Sequence, residues 1–268
     1  MDNTLISNLL KAVFMGIVEG LTEFLPISST GHLIIAGRLL QFPERIADTF
    51  EIFIQLGAVL AVVVYFSKDL LQLLQRAVKE PSARMLLINI GIAFIPAAVV
   101  GVLFRSLIKE YLFGPITVAL ALIVGGIIML FVEMRPRPSK VTTLETIRQT
   151  QAFGIGIAQI ASLWSGFSRS AATLVGGLLM GLDRATALRF SFYLAIPTLG
   201  IATLYDLYKS RAGLLSSDVM IFGVGLVVSF VVALVVIRLF LSYVSRRTLI
   251  PFACYRIIVG VIVLLWFR

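Results

Sequence analysis

The chain has 268 residues, 59% of them apolar and 14% charged, with a mean hydropathy of +1.01 and a formal charge of +9. No soluble core could absorb that much apolar surface, so the composition excludes a soluble domain and indicates an integral membrane protein. The positive charge is that of cytoplasmic loops and headgroup contacts; without a basic helix carrying interleaved aromatics, no nucleic-acid partner is expected.

Ten apolar segments lie at about 8–25, 27–41, 50–66, 84–104, 115–132, 151–164, 166–181, 187–207, 218–241 and 249–267. The N-terminus lacks the basic region and small-residue cleavage site of a signal peptide, so the first run is read as part of the mature fold. A helix needs about 20 apolar residues to cross the hydrocarbon core, and 27–41, 151–164 and 166–181 are too short and too rich in Gly and Ser. Such lengths suit re-entrant hairpins, which are tolerated where protein or a water-filled cavity surrounds them. Pairing 8–25 with 27–41 and 151–164 with 166–181 gives an all-α, polytopic membrane fold with about six spanning helices and two re-entrant helical hairpins.

An offset of 140 residues places Ser28-Ser29 on Ser168-Arg169, Gly37 on Gly177 and Phe50 on Phe190. Each half then reads as one hairpin and three spans, an odd number that inverts the second copy in a single membrane domain. The repeats are expected at 1–137 and 138–268, with Pro136, Pro138 and the charged run to Gln151 as linker. Loops near 67–83, 133–150, 182–186 and 242–249 carry Lys68, Arg76, Lys79, Arg84, Arg135, Arg137, Lys140, Arg148, Arg184, Arg246 and Arg247. The opposite side has fewer cations, Arg45, Arg105, Lys109, Lys209, Arg211 and Arg268, so the first side is expected to be cytoplasmic.

Residues 19–32, Glu-Gly-Leu-Thr-Glu-Phe-Leu-Pro-Ile-Ser-Ser-Thr-Gly-His, hold two carboxylates, four hydroxyls and the only histidine. If residues 9–24 are helical, Glu19 and Glu23 project from one face, and Pro26 ends the helix by restricting its predecessor. Ser28, Ser29 and Thr30 then open a second helix, where free N–H groups and the positive dipole end suit an anion. Glu19 and Glu23 suit a hard divalent cation shared with phosphate oxygens, a general-base role, or structural hydrogen bonds to the facing hairpin. Because two adjacent carboxylates repel unless a cation or proton is shared, the metal reading is preferred. His32, one turn beyond Ser28 and Ser29, suits proton transfer to or from a nucleophile, although a lone histidine is more often structural.

The second polar cluster runs from Ser165 to Thr173, Ser-Gly-Phe-Ser-Arg-Ser-Ala-Ala-Thr. An arginine inside an apolar region is costly unless paired or wetted, and the planar fork of Arg169 suits phosphate or carboxylate. Ser168, Ser170 and Thr173 add donors at a helix N-terminus, making a phosphate cradle. An Arg169 that pairs with Glu19 or Glu23 to hold the hairpins together is the simpler alternative, compatible with the first. Gln55, Asp206 and Glu51 are lining candidates. Gly16, Gly125-Gly126 and Gly176-Gly177 are read as close-packing positions. Cys254 excludes an internal disulfide and a Cys-built metal site and is read as a small buried hydrophobe.

These two motifs resemble the signatures of the bacterial undecaprenyl-diphosphate phosphatases of the bacitracin-resistance type. The similarity extends to Phe50-Glu-Ile-Phe-Ile-Gln-Leu-Gly57, Phe190-Ser-Phe-Tyr-Leu-Ala-Ile-Pro197 and Pro251-Phe-Ala-Cys-Tyr-Arg256. The resemblance implies an inner-membrane phosphoanhydride hydrolase that recycles the lipid carrier of cell-wall synthesis and confers bacitracin resistance, bacitracin competing for the lipid substrate. It implies a divalent cation, Mg²⁺ or Ca²⁺, at Glu19 and Glu23, and Glu19, Glu23, Ser29, His32 and Arg169 as the matching active-site positions, with Ser28, Thr30, Ser168, Ser170 and Thr173 on the substrate. Ser165 departs from the family's usual proline, loosening the turn without removing a chemical group. A lipid flippase on the same inverted scaffold is the competing function, and monomer and homodimer both stay open. The site is expected to face the periplasm, reached by the lipid through a lateral gap rimmed by Gly and Ala.

Overall fold

The computed structural model describes residues 3–135, 138–210 and 218–267. Pro136, Arg137, Arg211 and Arg268 from the linker and loop-charge reading, and the side chain of Lys109, lie outside the described residues. The described chain is helical: α1 Asn3–Thr22, α2 Ser29–Leu39, α3 Glu44–Tyr65, α4 Ser67–Lys79, α5 Pro81–Leu103, α6 Arg105–Leu112, α7 Pro115–Met134, α8 Gln149–Ile160, α9 Arg169–Leu179, α10 Arg184–Ser210, α11 Val219–Val244 and α12 Ile250–Trp266.

Among the described residues, six helices are long and apolar enough to cross a membrane: α1, α3, α5, α7, α10 and α11. Their number matches the expectation, but two members differ. The first apolar run reaches back to Asn3 and gives α1 20 residues, whereas α12 has 17 and a proline in its first turn. At 1.5 Å per residue α12 spans about 25 Å, short of a ~30 Å hydrocarbon core.

The two stretches read as loops at 67–83 and near 105–112 contain helices α4 and α6. In α4, Leu73 is buried while Leu71, Leu74 and Val78 are exposed on another face, the arrangement of a helix lying along an interface. Arg76 ties it down, donating to Glu80 (2.7 Å) and pairing with Glu145 (2.9 Å). Hydrogen bonding from Arg76 holds the Glu80 carboxyl below its ordinary range.

Helix pairs α1–α11, α3–α11, α7–α12, α5–α8 and α3–α10 carry the packing. Small residues set the separations. A Cβ on Gly16 would lie 2.7 Å from the Gly225 carbonyl, and one on Gly20 2.7 Å from that of Ser229, so α1 meets α11 backbone to backbone. Gly125 accommodates the Arg256 guanidinium and Gly177 the Ala187 side chain, as the packing reading anticipated.

Local geometry recurs 140 residues apart. Ser28 and Ser168 both cap 11-residue helices with φ of 72° and 73°, and Gln41 and Gly181 both follow those helices with positive φ. Bonds from Leu40 N to Ala36 O, Gln41 N to Arg38 O and Phe42 N to Gly37 O have counterparts in Met180 N to Gly176 O, Gly181 N to Leu178 O and Leu182 N to Gly177 O.

Cys254 corrects the reading of it as buried: its side chain is exposed. The inward face of α12 is set by Ala253, Arg256, Gly260 and Val263 at helical spacing, and Cys254 falls one step off that stripe.

Candidate active site

Helix α1 ends at Thr22, and a last bond from Glu23 N to Glu19 O (2.9 Å) carries its winding one residue further. Glu19 and Glu23 therefore sit one turn apart, as expected. Pro26 lies in the break, and Ser28 caps α2 by accepting from Gly31 N at 3.4 Å. Ser168 caps α9 by accepting from Ala171 N at 3.3 Å. At both caps a non-glycine residue holds φ near +72° with ψ of 100° or more, a conformation costing about 1–3 kcal/mol and found where surrounding structure over-determines it.

The two N-termini meet around Glu23. Ser29 Oγ donates to Glu23 Oε2 at 2.6 Å, and Arg169 Nη2 donates to Glu23 Oε1 at 3.2 Å; all three side chains are buried. Arg169 also donates through Nη1 to the Ser191 carbonyl (3.1 Å) and hydroxyl (3.2 Å), and its guanidinium lies 5.7 Å over the Phe24 ring. Thr173 Oγ1 bonds Ser191 Oγ at 2.6 Å and donates to the Arg169 carbonyl at 2.9 Å, bracing this arm. Ser170 Oγ donates to the Leu25 carbonyl at 2.9 Å and shares a 3.1 Å bond with Ser168 Oγ, stitching one turn to the other. Thr30 is half-buried in the first turn of α2.

Two of the buried groups without partners lie beside Glu23. Both carboxylate oxygens of Glu19 and the Nε of Arg169 have no hydrogen-bond partner, an uncommon state that at a polar centre points to ligand chemistry. Glu19 lies within electrostatic reach of Glu23, Glu51 and Arg169. No group of three or more His, Cys, Asp or Glu suited to a metal exists among the described residues. The protein can thus offer a cation one or two carboxylates, the set that suits Mg²⁺ when substrate phosphates complete its shell.

Both ring nitrogens of His32 bond partners other than Ser29. Its Nδ1 lies 2.7 Å from the Ser28 carbonyl and its Nε2 2.7 Å from the Tyr255 hydroxyl. The hydrogen-bond acceptor for the Ser29 hydroxyl is Glu23. Of the lining candidates, Gln55 accepts from Thr203 (3.1 Å) and Asp206 pairs with Arg105 (2.5 Å). Glu51 does line a space, a cavity of about 670 Å³ among α1, α2 and α3 whose wall includes Met15, Leu33, Arg38 and Glu44. Gly37 and Ala47 are on that wall too, so its rim mixes small residues with charges.

Three residues were missed: Ser191, Tyr255 and Arg256. Arg256 is fully buried and donates to the carbonyls of Pro26, Ala121, Gly166 and Phe167 at 2.6–3.3 Å, clamping both turns against α7. Like Arg169, Arg256 is a cation inside an apolar run of the sequence. Ser165 is buried with an unpartnered hydroxyl beside Gly166, whose φ of +95° makes the turn.

The family profile described as Bacitracin resistance protein BacA matches residues 12–262. An undecaprenyl-diphosphatase of Dechloromonas aromatica is 48% identical over 256 residues, covering 96% of this chain and 93% of that protein. One from Sorangium cellulosum is 52% identical over 259 residues, covering 94% and 84%, and one from Caldanaerobacter subterraneus is 48% identical over 257, covering 96% and 95%. Matched along nearly its whole length, with both polar turns inside the matched region, the chain belongs to the bacitracin resistance protein BacA family.

Proposed function

We propose that the protein hydrolyses undecaprenyl diphosphate to undecaprenyl phosphate and inorganic phosphate in the bacterial inner membrane. The observation that carries this is the Ser29 hydroxyl held on Glu23 at 2.6 Å, with Arg169 on the same carboxylate, where two helix N-termini converge. Relatives named undecaprenyl-diphosphatase at 47–52% identity supply the substrate class. The flippase reading is not favoured, since carriage needs the diphosphate bound but no hydroxyl seated on a carboxylate.

Ser29 Oγ attacks the terminal phosphorus while Glu23 takes its proton; the bond to the bridging oxygen breaks and undecaprenyl phosphate leaves. Water then attacks the phosphoserine, the bond from phosphorus to Ser29 Oγ breaks, Glu23 returns its proton to that oxygen, and phosphate leaves with the protons of the water. Arg169 Nε and the N–H groups at the starts of α2 and α9 stabilise charge on the transferring oxygens, the principal demand of a loose phosphoryl-transfer transition state. Ser28, Thr30, Ser168, Ser170 and Thr173 shape and brace that anion cradle. Glu19, with Glu23, would hold a divalent cation, best Mg²⁺, which when bound neutralises phosphate charge and orients the diphosphate.

The halves 1–137 and 138–268 are taken as inverted repeats, each with a re-entrant hairpin, on the support of the matching caps and bonds 140 residues apart. The site then opens to the periplasm, where the carrier is released from its cargo, and bacitracin competes for the same lipid. The prenyl tail stays in lipid because withdrawing it costs about 0.8 kcal/mol per CH₂. Phosphate release from undecaprenyl diphosphate by purified protein, with and without a chelator, tests this reading: release that the chelator abolishes and Mg²⁺ restores is expected. No release under any cation would contradict it.

A further inference from the structure

The only histidine of the chain is held at both ring nitrogens, and the second holder is a residue for which the reaction above has no use. Nδ1 of His32 lies 2.7 Å from the carbonyl of Ser28, and Nε2 lies 2.7 Å from the hydroxyl of Tyr255 on α12. A carbonyl only accepts, so Nδ1 carries the proton and donates it to Ser28. In the neutral ring Nε2 is then an acceptor, and Tyr255 O–H donates to it. The rings are within 6° of parallel with centroids 5.6 Å apart, so Tyr255 meets His32 by ring contact as well as by the hydrogen bond.

The Ser28 carbonyl belongs to the cap at φ 72°, the residue immediately before Ser29. A strained turn persists only if its neighbours fix it. His32 fixes one of its carbonyls from within α2, and Tyr255 fixes the ring that does so. We propose that Tyr255 is a positioning residue for the hydrolysis: through its bond to His32 Nε2 it locks the ring whose Nδ1–H holds the Ser28 carbonyl, and so sets the turn that presents Ser29 to Glu23 and the phosphate. This rests on Ser29 being the reacting hydroxyl. On this account His32 also acts by positioning, since both its nitrogens are engaged away from Ser29.

Tyr255 is 42% exposed, so its hydroxyl can be removed without opening a cavity. The single histidine makes the test direct. Protein labelled with ¹⁵N-histidine and purified through a histidine-free tag gives one imidazole spectrum, read above the ordinary imidazole titration range. The wild type is expected to show one neutral tautomer with the proton on Nδ1. In Tyr255→Phe the Nε2 resonance should move, because its donor is gone, and kcat should fall about tenfold with KM unchanged. A wild-type proton on Nε2 with Nδ1 bare overturns the proposal, and so does a Tyr255→Phe protein with unaltered kcat, whether or not Nε2 shifts. If the wild type releases no phosphate, the phosphatase reading fails, while the spectrum still reports the Tyr255–His32 bond independently.

Discussion

At the scale of single residues, the site depends on one carboxylate serving two donors. Glu23 accepts from Ser29 on one oxygen and from Arg169 on the other, so neither partner can be replaced by charge alone. Arg169→Lys keeps the cation but loses the planar fork that spans Glu23 and Ser191, and should lower kcat by about a hundredfold while the protein still folds. Wild-type turnover in that variant, measured as phosphate release, would remove Arg169 from the site. Glu23→Gln removes the proposed base and one of the two proposed cation ligands, and should cost about 10²–10⁴-fold in kcat. Glu19→Gln should chiefly raise the Mg²⁺ concentration needed for half-maximal activity; a Mg²⁺ titration unchanged from wild type would place the cation elsewhere.

At the scale of helices, the site's geometry follows from how α1, α2, α9 and α12 approach one another. Gly20 lets α1 lie directly on α11, and a Cβ there would meet Ser229 O at 2.7 Å and Val232 Cβ at 2.8 Å. Gly20→Val should therefore push α1 outward, destabilise by about 1–3 kcal/mol and reduce turnover with it. Gly223, on the same α11, has open space around it, and its alanine variant should match wild type in melting temperature and activity. Arg256→Met leaves buried carbonyls of both turns without their donor, at about 1–3 kcal/mol each, and should lower the melting temperature in detergent by several degrees. A melting curve superimposable on wild type would refute the clamp. Much of this level was legible in the sequence: Pro26 marks the break, the Ser-Ser and Ser-Arg steps mark the caps, and hydropathy marks the long helices. What escaped was contact at long separation. Arg256 reaches Pro26 across 230 residues, and neither periodicity nor spacing encodes which carbonyls a buried arginine will find. The α4 helix escaped for a different reason, since its charged face reads as a loop until its buried Leu73 is seen against the core.

At the scale of the whole molecule, six helices among the described residues are long and apolar enough to span a membrane, and Glu19, Glu23 and Arg169 form a buried polar centre in that apolar fold. A periplasmic opening makes Ser29→Cys, in a Cys254→Ala background, accessible to a membrane-impermeant thiol reagent on intact cells; the background is needed because Cys254 is itself exposed. Protection from outside with labelling in inverted vesicles would reverse the orientation. The central claim is that Ser29, seated on Glu23, takes the terminal phosphate. The direct measurement is a single turnover of purified protein with undecaprenyl diphosphate carrying ³²P in its terminal phosphate, quenched in acid and repeated with Ser29→Ala. ³²P is expected transiently on Ser29 and then in inorganic phosphate, and in neither with the alanine variant; undiminished release of labelled phosphate by Ser29→Ala would contradict Ser29 as the nucleophile.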